Sequence, residues 1–230
     1  MKIGIIGAME EEVKVIKQTL KNPQGWTRAG ILFHQGTIEN HEVILVQSGI
    51  GKVQSAITAT LLIHEFKVEA IINTGSAGGI GSNLSVGDVV LSEKTAYFDV
   101  DVTGFNYDYG QLPGQPLYFK ASKYLLFSMQ QAAEKMNYSV NSGLIVTGDS
   151  FVNNPDKITY IKKHFPNALA IEMEGAAIAQ VAHQFGIGCL IVRAISDTAD
   201  EKATINFNKF IIKAGEKSAK MVLKFLEVLE

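Results

Sequence analysis

The sequence predicts an α/β fold, a single-domain three-layer α/β/α sandwich over residues 1–230 with a central mixed β-sheet flanked by helices. Three observations predict it. Apolar, β-branched runs alternate with helix-periodic segments along the chain. The runs Ile71-Ile-Asn-Thr74 and Leu190–Ile195 are nearly continuous apolar, as strands covered on both faces must be. The pair Asn40-His41 reads as a turn between two strand-like runs, which sets an antiparallel hairpin into an otherwise parallel arrangement.

The elements follow in order. Strands are expected at 2–8, 31–38, 42–48, 70–74, 88–98, 143–147, 168–171 and 189–195, where Val, Ile and aromatic residues cluster between turn residues. Helices are expected at 10–20, 52–66, 122–136, 155–164, 175–185 and 206–229. Val13, Ile16 and Leu20 share one face of the first, and Pro155 suits the first turn of the fourth. No linker, repeat or low-complexity tract divides the chain. One segment resists this reading: Asp99–Pro116 carries Phe105, Tyr107, Tyr109, Pro113 and three glycines without periodicity. A long aromatic loop of this kind marks a binding loop, a lid or an oligomer contact, against a plain surface excursion.

Composition excludes several classes. With 47% hydrophobic and 19% charged residues the chain is globular rather than disordered. A net charge of −2 leaves no electrostatic footprint for nucleic acid, and the only arginines are Arg28, in an expected surface turn, and Arg193. Cys189 is the one cysteine, so no disulfide framework is possible, in keeping with a reducing cytoplasm. The opening MKIGIIGAMEEE is too short and too acidic for a signal peptide or membrane span. Five scattered histidines and one cysteine form no metal-ligand pattern, and no organic cofactor is implied.

Chemistry concentrates where strands end. The first strand-to-helix turn, Gly4-Ile-Ile-Gly7-Ala8-Met9, leads into Glu10-Glu11-Glu12. A dinucleotide fold wants G-x-G-x-x-G and a pyrophosphate at this helix start. Two unit charges ~6 Å apart at an effective dielectric of ~20 repel by roughly 3 kcal/mol, so this turn rejects phosphate. Helix-dipole pairing accounts for two of the three acids, and one is left as a candidate general base. The motif Asn73-Thr-Gly-Ser-Ala-Gly-Gly-Ile-Gly81 follows a buried strand and reads as a close backbone approach to a ligand or as a tight turn. In Ile171-Glu-Met-Glu-Gly175, alternation sets Glu172 and Glu174 on one face. Such carboxylates either accept two hydrogen bonds from vicinal hydroxyls or cap the next helix. The run Val192-Arg-Ala-Ile-Ser-Asp197 ends in an acid, with Ser196, Asp197 and Asp200 as candidate N-caps. Together these ends suggest a pocket for an uncharged, polyhydroxylated ligand.

With Gly49-Ile-Gly-Lys52 and Gly148-Asp-Ser-Phe151 added, six motifs in order resemble the purine nucleoside phosphorylase and nucleosidase superfamily over the whole chain. Within it the sequence is most similar to nucleosidases that cleave 5′-thio-substituted adenosines. The resemblance implies a nucleoside phosphorylase/hydrolase-like sandwich, adenine release by water, a role in methionine salvage, and a cytoplasmic homodimer. It implies Glu12 as general base and Asp197 as the acid that protonates adenine N7. Glu174 would hold the ribose hydroxyls with Met173 against the sugar, Ser76 and Arg193 would order the nucleophile side, and Gly78 would also bind substrate. Phe151 would stack on adenine and the Val152 backbone would read its edge. Met9, Ile50, Val102 and Phe207 would line the 5′ pocket, completed by Phe105 and Pro113 of the second subunit. Methylthioadenosine, adenosylhomocysteine, 5′-deoxyadenosine and aminodeoxyfutalosine all remain candidate substrates.

Two other readings stay open. A phosphorylase of the superfamily would carry a Gly-Asp-Pro turn followed by an arginine, and another arginine before the glycine-rich strand end. Ala8-Met9-Glu10 and Ile72-Asn73 stand in those places. Phosphate sites favour bidentate arginine, and here Arg193 is left alone. A non-catalytic nucleoside-binding protein would keep the glycines and aromatics and lose the acids, yet Glu12, Glu174 and Asp197 are all present.

Overall fold

Strand β1 (Lys2–Gly7), buried along nearly its whole length, is the pivot of the sheet, and it pairs in parallel with both β4 (His41–Gln47) and β5 (Ala70–Gly79). Beyond β4 lie β3 (Ile31–Ile38) and β2 (Lys21–Arg28), both added antiparallel. The computed structural model describes residues 1–198 and 203–229, so Asp200 lies outside the described residues. The other flank holds β10 (Gly188–Asp197), β9 (Ala168–Glu172), β8 (Val140–Thr147) and β6 (Val89–Tyr97), with the two-residue β7 (Phe119–Lys120) on β6. Because β10 pairs with both β5 and β6, the run β5–β9–β8–β6–β10 closes on itself as a ring. The mixed sheet and three layers expected from the sequence are present, with this curl added.

Helices cover both faces. On one, α1 (Glu10–Thr19), α3 (Lys123–Lys135) and α6 (Ala203–Val228) bury Val13, Ile16, Met129, Met221 and Phe225 against Ile3, Ile5 and Val192. On the other, α2 (Lys52–His64) and α5 (Gly175–Phe185) bury Leu62, Ile63, Ala176 and Ile178 against Ile6, Ile44 and Ile191. Helix α4 (Pro155–His164), capped by the Asn154 side chain and opened by Pro155, packs Ile161 and Phe165 onto Val146 and Ile171.

Three expectations are corrected. Residues 75–79 continue β5 as strand rather than turning after Thr74, because their small side chains let neighbours press close. A Cβ on Gly75 would stand 2.6 Å from Glu12 Oε1. Strand β2 gave no signal in its sequence: it is exposed on both faces, carries Pro23 and Gly25, and forms by edge pairing with β3. Arg28 therefore ends a strand, where its Nε donates to Glu65 at 2.7 Å. The β3–β4 turn centres on Glu39 and Asn40, with Glu39 at φ +49°, and buried His41 already belongs to β4.

Candidate active site

The C-terminal ends of β1, β5, β9 and β10 meet the N-termini of α1 and α5 around a cavity of about 370 Å³. Strand ends are where such sheets offer unpaired backbone, and helix starts add oriented N–H groups. Of the three acids opening α1, Glu10 and Glu11 stay exposed and Glu12 turns inward. Its Oε2 accepts the N–H of Ala8 at 2.8 Å and of Met9 at 3.1 Å. Its Oε1 accepts the backbone N–H of Ser76 at 2.9 Å and the Ser76 hydroxyl at 3.1 Å. The bare Cα of Gly75 makes room for this approach.

The Glu172-x-Glu174 pair divides its labour. Strand β9 ends at Glu172, so the expected alternation stops there, and Glu172 caps α5 by accepting the N–H of Glu174 at 3.0 Å and of Gly175 at 2.7 Å. Thr147 Oγ1 and Arg193 Nη2 also donate to it, the latter at 2.5 Å. Glu174 sits at the N-cap position without capping, and its Oε1 accepts the N–H of Gly51 at 3.0 Å. Burial, and then the charge of Glu172, push the Glu174 carboxyl up to about 8, against the pull of Arg193 and Gly51.

Arg193 is buried behind these acids rather than on the cavity wall, and its Nη2 also donates to Asn73 Oδ1 at 2.5 Å. Asp197 ends β10, buried, and accepts the Ser196 hydroxyl at 2.8 Å. Above the acids the wall is apolar: Met9, Ile50, Met173, Phe151 and Phe207 face the cavity, the last two rings edge to face at 5.6 Å. A small annexe of about 40 Å³ adjoins it, bounded by Gly78, Phe151, Val152 and Asp197.

Glu12, Asp197, Glu174, Ser76, Gly78, Met9, Ile50, Phe151, Met173 and Phe207 thus line one cavity, and Val152 lines its annexe. Val102, Phe105 and Pro113 do not line it, and Val102, expected within the same chain's pocket, is corrected here. All three ride on the 99–116 loop, which is tied to α4: the Tyr109 ring stacks on His164 at 4.0 Å and its hydroxyl donates to Phe98 O at 2.7 Å. Thr147, Asn73 and Gly51 were not expected among the site residues, although Asn73 and Gly51 lie in two of the motifs. Among the described residues no group of His, Cys, Asp and Glu is arranged to hold a metal ion, and no helix is long and apolar enough to cross a membrane.

Comparison with known proteins follows the same lines. A family model described as the phosphorylase superfamily matches residues 2–227. The 5′-methylthioadenosine/S-adenosylhomocysteine nucleosidase of Bacillus cereus (strain B4264) is 45% identical over 231 residues, covering 100% of both chains. The S-adenosylhomocysteine nucleosidase of Streptococcus pyogenes, solved in complex with 5-methylthiotubericidin, superposes with a TM-score of 0.98 at 49% identity, covering 100% of this chain and 98% of that one. A futalosine hydrolase mutant of Helicobacter pylori superposes with a TM-score of 0.95 at 32% identity, covering 99% of each chain.

Proposed function

The chain belongs to the phosphorylase superfamily, and from that premise we propose that it is an N-glycosyl hydrolase releasing adenine from 5′-methylthioadenosine and S-adenosylhomocysteine. The observation that carries this reading is the make-up of the cavity wall. Among the described residues it presents four acidic side chains, Glu12, Glu172, Glu174 and Asp197, and no lysine or arginine. The cavity wall carries no basic side chain to cradle phosphate, and Nη2 of the nearby Arg193 is taken by Glu172 and Asn73. Water is the nucleophile.

Breaking the N-glycosidic bond leaves positive charge on the sugar and negative charge on the base. Glu12 takes the proton of the attacking water, with Ser76 and Arg193 ordering that side. Asp197 gives a proton to adenine N7, which lets the base leave neutral. Glu174 accepts the ribose hydroxyls and Met173 packs on the sugar. Phe151 stacks on the base while the Val152 backbone reads its edge near Gly78. Met9, Ile50 and Phe207 receive the 5′-thioalkyl group.

The apolar end is completed by a second copy, with Val102, Phe105 and Pro113 reaching across a homodimer. In support, Phe105 is 79% exposed and the outward face of α2 shows Val53, 71% exposed, beside Ile57. The setting is the cytoplasm, in methionine salvage and the recycling of methylation by-products.

Adenine release in phosphate-free buffer tests the reaction class. Full activity with free 5-methylthioribose as co-product is expected, and a requirement for phosphate with a ribose 1-phosphate product would overturn it. The likeness to a futalosine hydrolase favours a second substrate class at the same site. Comparing kcat/KM for methylthioadenosine, adenosylhomocysteine, 5′-deoxyadenosine and aminodeoxyfutalosine ranks them.

A further inference from the structure

One buried acid of the cavity has no step in the reaction proposed above. The Glu172 side chain is 2% exposed, and its two oxygens accept from Thr147 Oγ1, Arg193 Nη2 and the N–H groups of Glu174 and Gly175. A carboxylate offers about four lone-pair sites, and four donors from its own chain, three of them on Oε2, leave Glu172 largely committed. A Cβ on Gly175 would stand 3.1 Å from Glu172 Oε1, so glycine lets the carboxylate sit under the helix start. The Arg193 Nη2 that lies 2.5 Å from Glu172 is 3.8 Å from Glu174. Glu174 therefore accepts, among the described residues, one hydrogen bond, from Gly51.

We propose that Glu172 is a positioning residue: by holding Arg193 and the α5 N-terminus to itself, it keeps Glu174 uncommitted for the ribose and sets the pH dependence of sugar binding. This inference rests on the nucleosidase reading and on Glu174 as the ribose acceptor. The charged groups facing Glu174 are Glu172 from β9, Arg193 from β10 and Glu12 from α1, with Asp197 of β10 on the same cavity. Lys52, next to Gly51, turns its ammonium to Asp99 at 2.7 Å. Three carboxyl groups, Glu12, Glu172 and Glu174, thus share one guanidinium, which is held nearest Glu172. Burial and the charge of Glu172 raise the Glu174 carboxyl to about 8, so below that pH it holds a proton until a ligand donates to it. When two ribose hydroxyls donate to the ionised carboxylate, that proton leaves for solvent.

The test is kcat/KM for 5′-methylthioadenosine across roughly pH 5–9 in wild type, Glu172→Gln and Glu172→Asp. Wild type should show a limb that rises with pH as Glu174 ionises. In Glu172→Gln the neighbouring charge is gone, and Arg193, then anchored by Asn73 without its ion pair, can turn toward Glu174. The limb should move at least about one pH unit lower, and KM on the plateau should rise about tenfold with kcat changed less than about threefold. Glu172→Asp keeps the charge and should leave the limb in place. An unmoved limb in folded Glu172→Gln overturns the proposal, as does a loss confined to kcat. Should Glu172→Gln not fold, calorimetry of wild type at about pH 6.5 with 5′-methylthiotubercidin, which carries carbon in place of N7, decides instead. Release of about one proton on binding is expected, and none overturns the proposal. Wild type that binds this analogue but releases no adenine from methylthioadenosine would sink the hydrolase reading instead.

Discussion

At the acidic floor of the cavity Glu12 accepts four hydrogen bonds from its own chain, whereas on the 99–116 loop Phe105 stands 79% exposed and outside that chain's cavity. The first region is held by backbone donors at strand and helix ends, which move only if the sheet moves. The second is tied down at Tyr109 and left apolar at its tip. The difference teaches where one chain suffices. Proton transfer needs groups fixed to a few tenths of an ångström, and the strand ends provide that. The proposed sorting of thioalkyl groups needs apolar closure, and the 99–116 loop does not supply it to its own chain's cavity.

If that division is right, removing either proton-transfer group has the largest effect. Glu12→Gln keeps the shape and loses the proposed base, and Asp197→Asn does the same for the proposed acid. Each should lower kcat by about 10²–10⁴-fold in an adenine-release assay, and near-normal kcat/KM in Asp197→Asn would remove the general-acid assignment. Gly75→Ala disturbs the same region while every functional group stays in the sequence. Its Cβ would press on Glu12 Oε1 at 2.6 Å, so kcat should fall about 10–100-fold with KM little changed.

Glu174 comes next. Glu174→Ala should raise KM about tenfold or more through lost charged hydrogen bonds, with a smaller change in kcat. The same residue makes a statement about stability. Its carboxyl is raised from the ordinary 4.5 to about 8 in the fold, so the native state binds the extra proton between those values. The stability this gives is complete below about 4.5 and is lost as pH climbs through about 8. The melting temperature of the ligand-free wild type should therefore fall relative to Glu174→Gln as pH rises over that window. Parallel curves for the two proteins would contradict it.

Strand ends and helix starts were legible because their signals are local: β-branched runs, Pro155 after Asn154, acids opening α1. The site acids Glu12, Glu174 and Asp197 were legible because a carboxylate beside an apolar run needs a reason to be there. What escaped is non-local. Strand β2 exists through β3, not through its own Pro- and Gly-bearing sequence. The split between Glu172 and Glu174 depends on Thr147, Arg193 and Gly51, which lie far away in the chain. The extension of β5 through Gly79 depends on Glu12 and Ile195 pressing on its glycines. Periodicity carries no trace of such partners.

The smallest effect sharpens the comparison most. Phe105→Ala should raise KM for methylthioadenosine about three- to tenfold, a part of the ~1.5–3 kcal/mol that full burial of such a ring contributes. A loop acting within its own chain and one reaching across a dimer predict the same loss, but mixing separates them. When Phe105→Ala is combined with Glu12→Gln and the subunits re-pair, a mixed dimer joins an intact Glu12 on one chain to an intact Phe105 on the other. If the ring acts across the interface, that site is complete, and a component with wild-type KM returns from two defective parents. If the ring acts in its own chain, every site with Glu12 still lacks Phe105, and the raised KM persists at all mixing ratios.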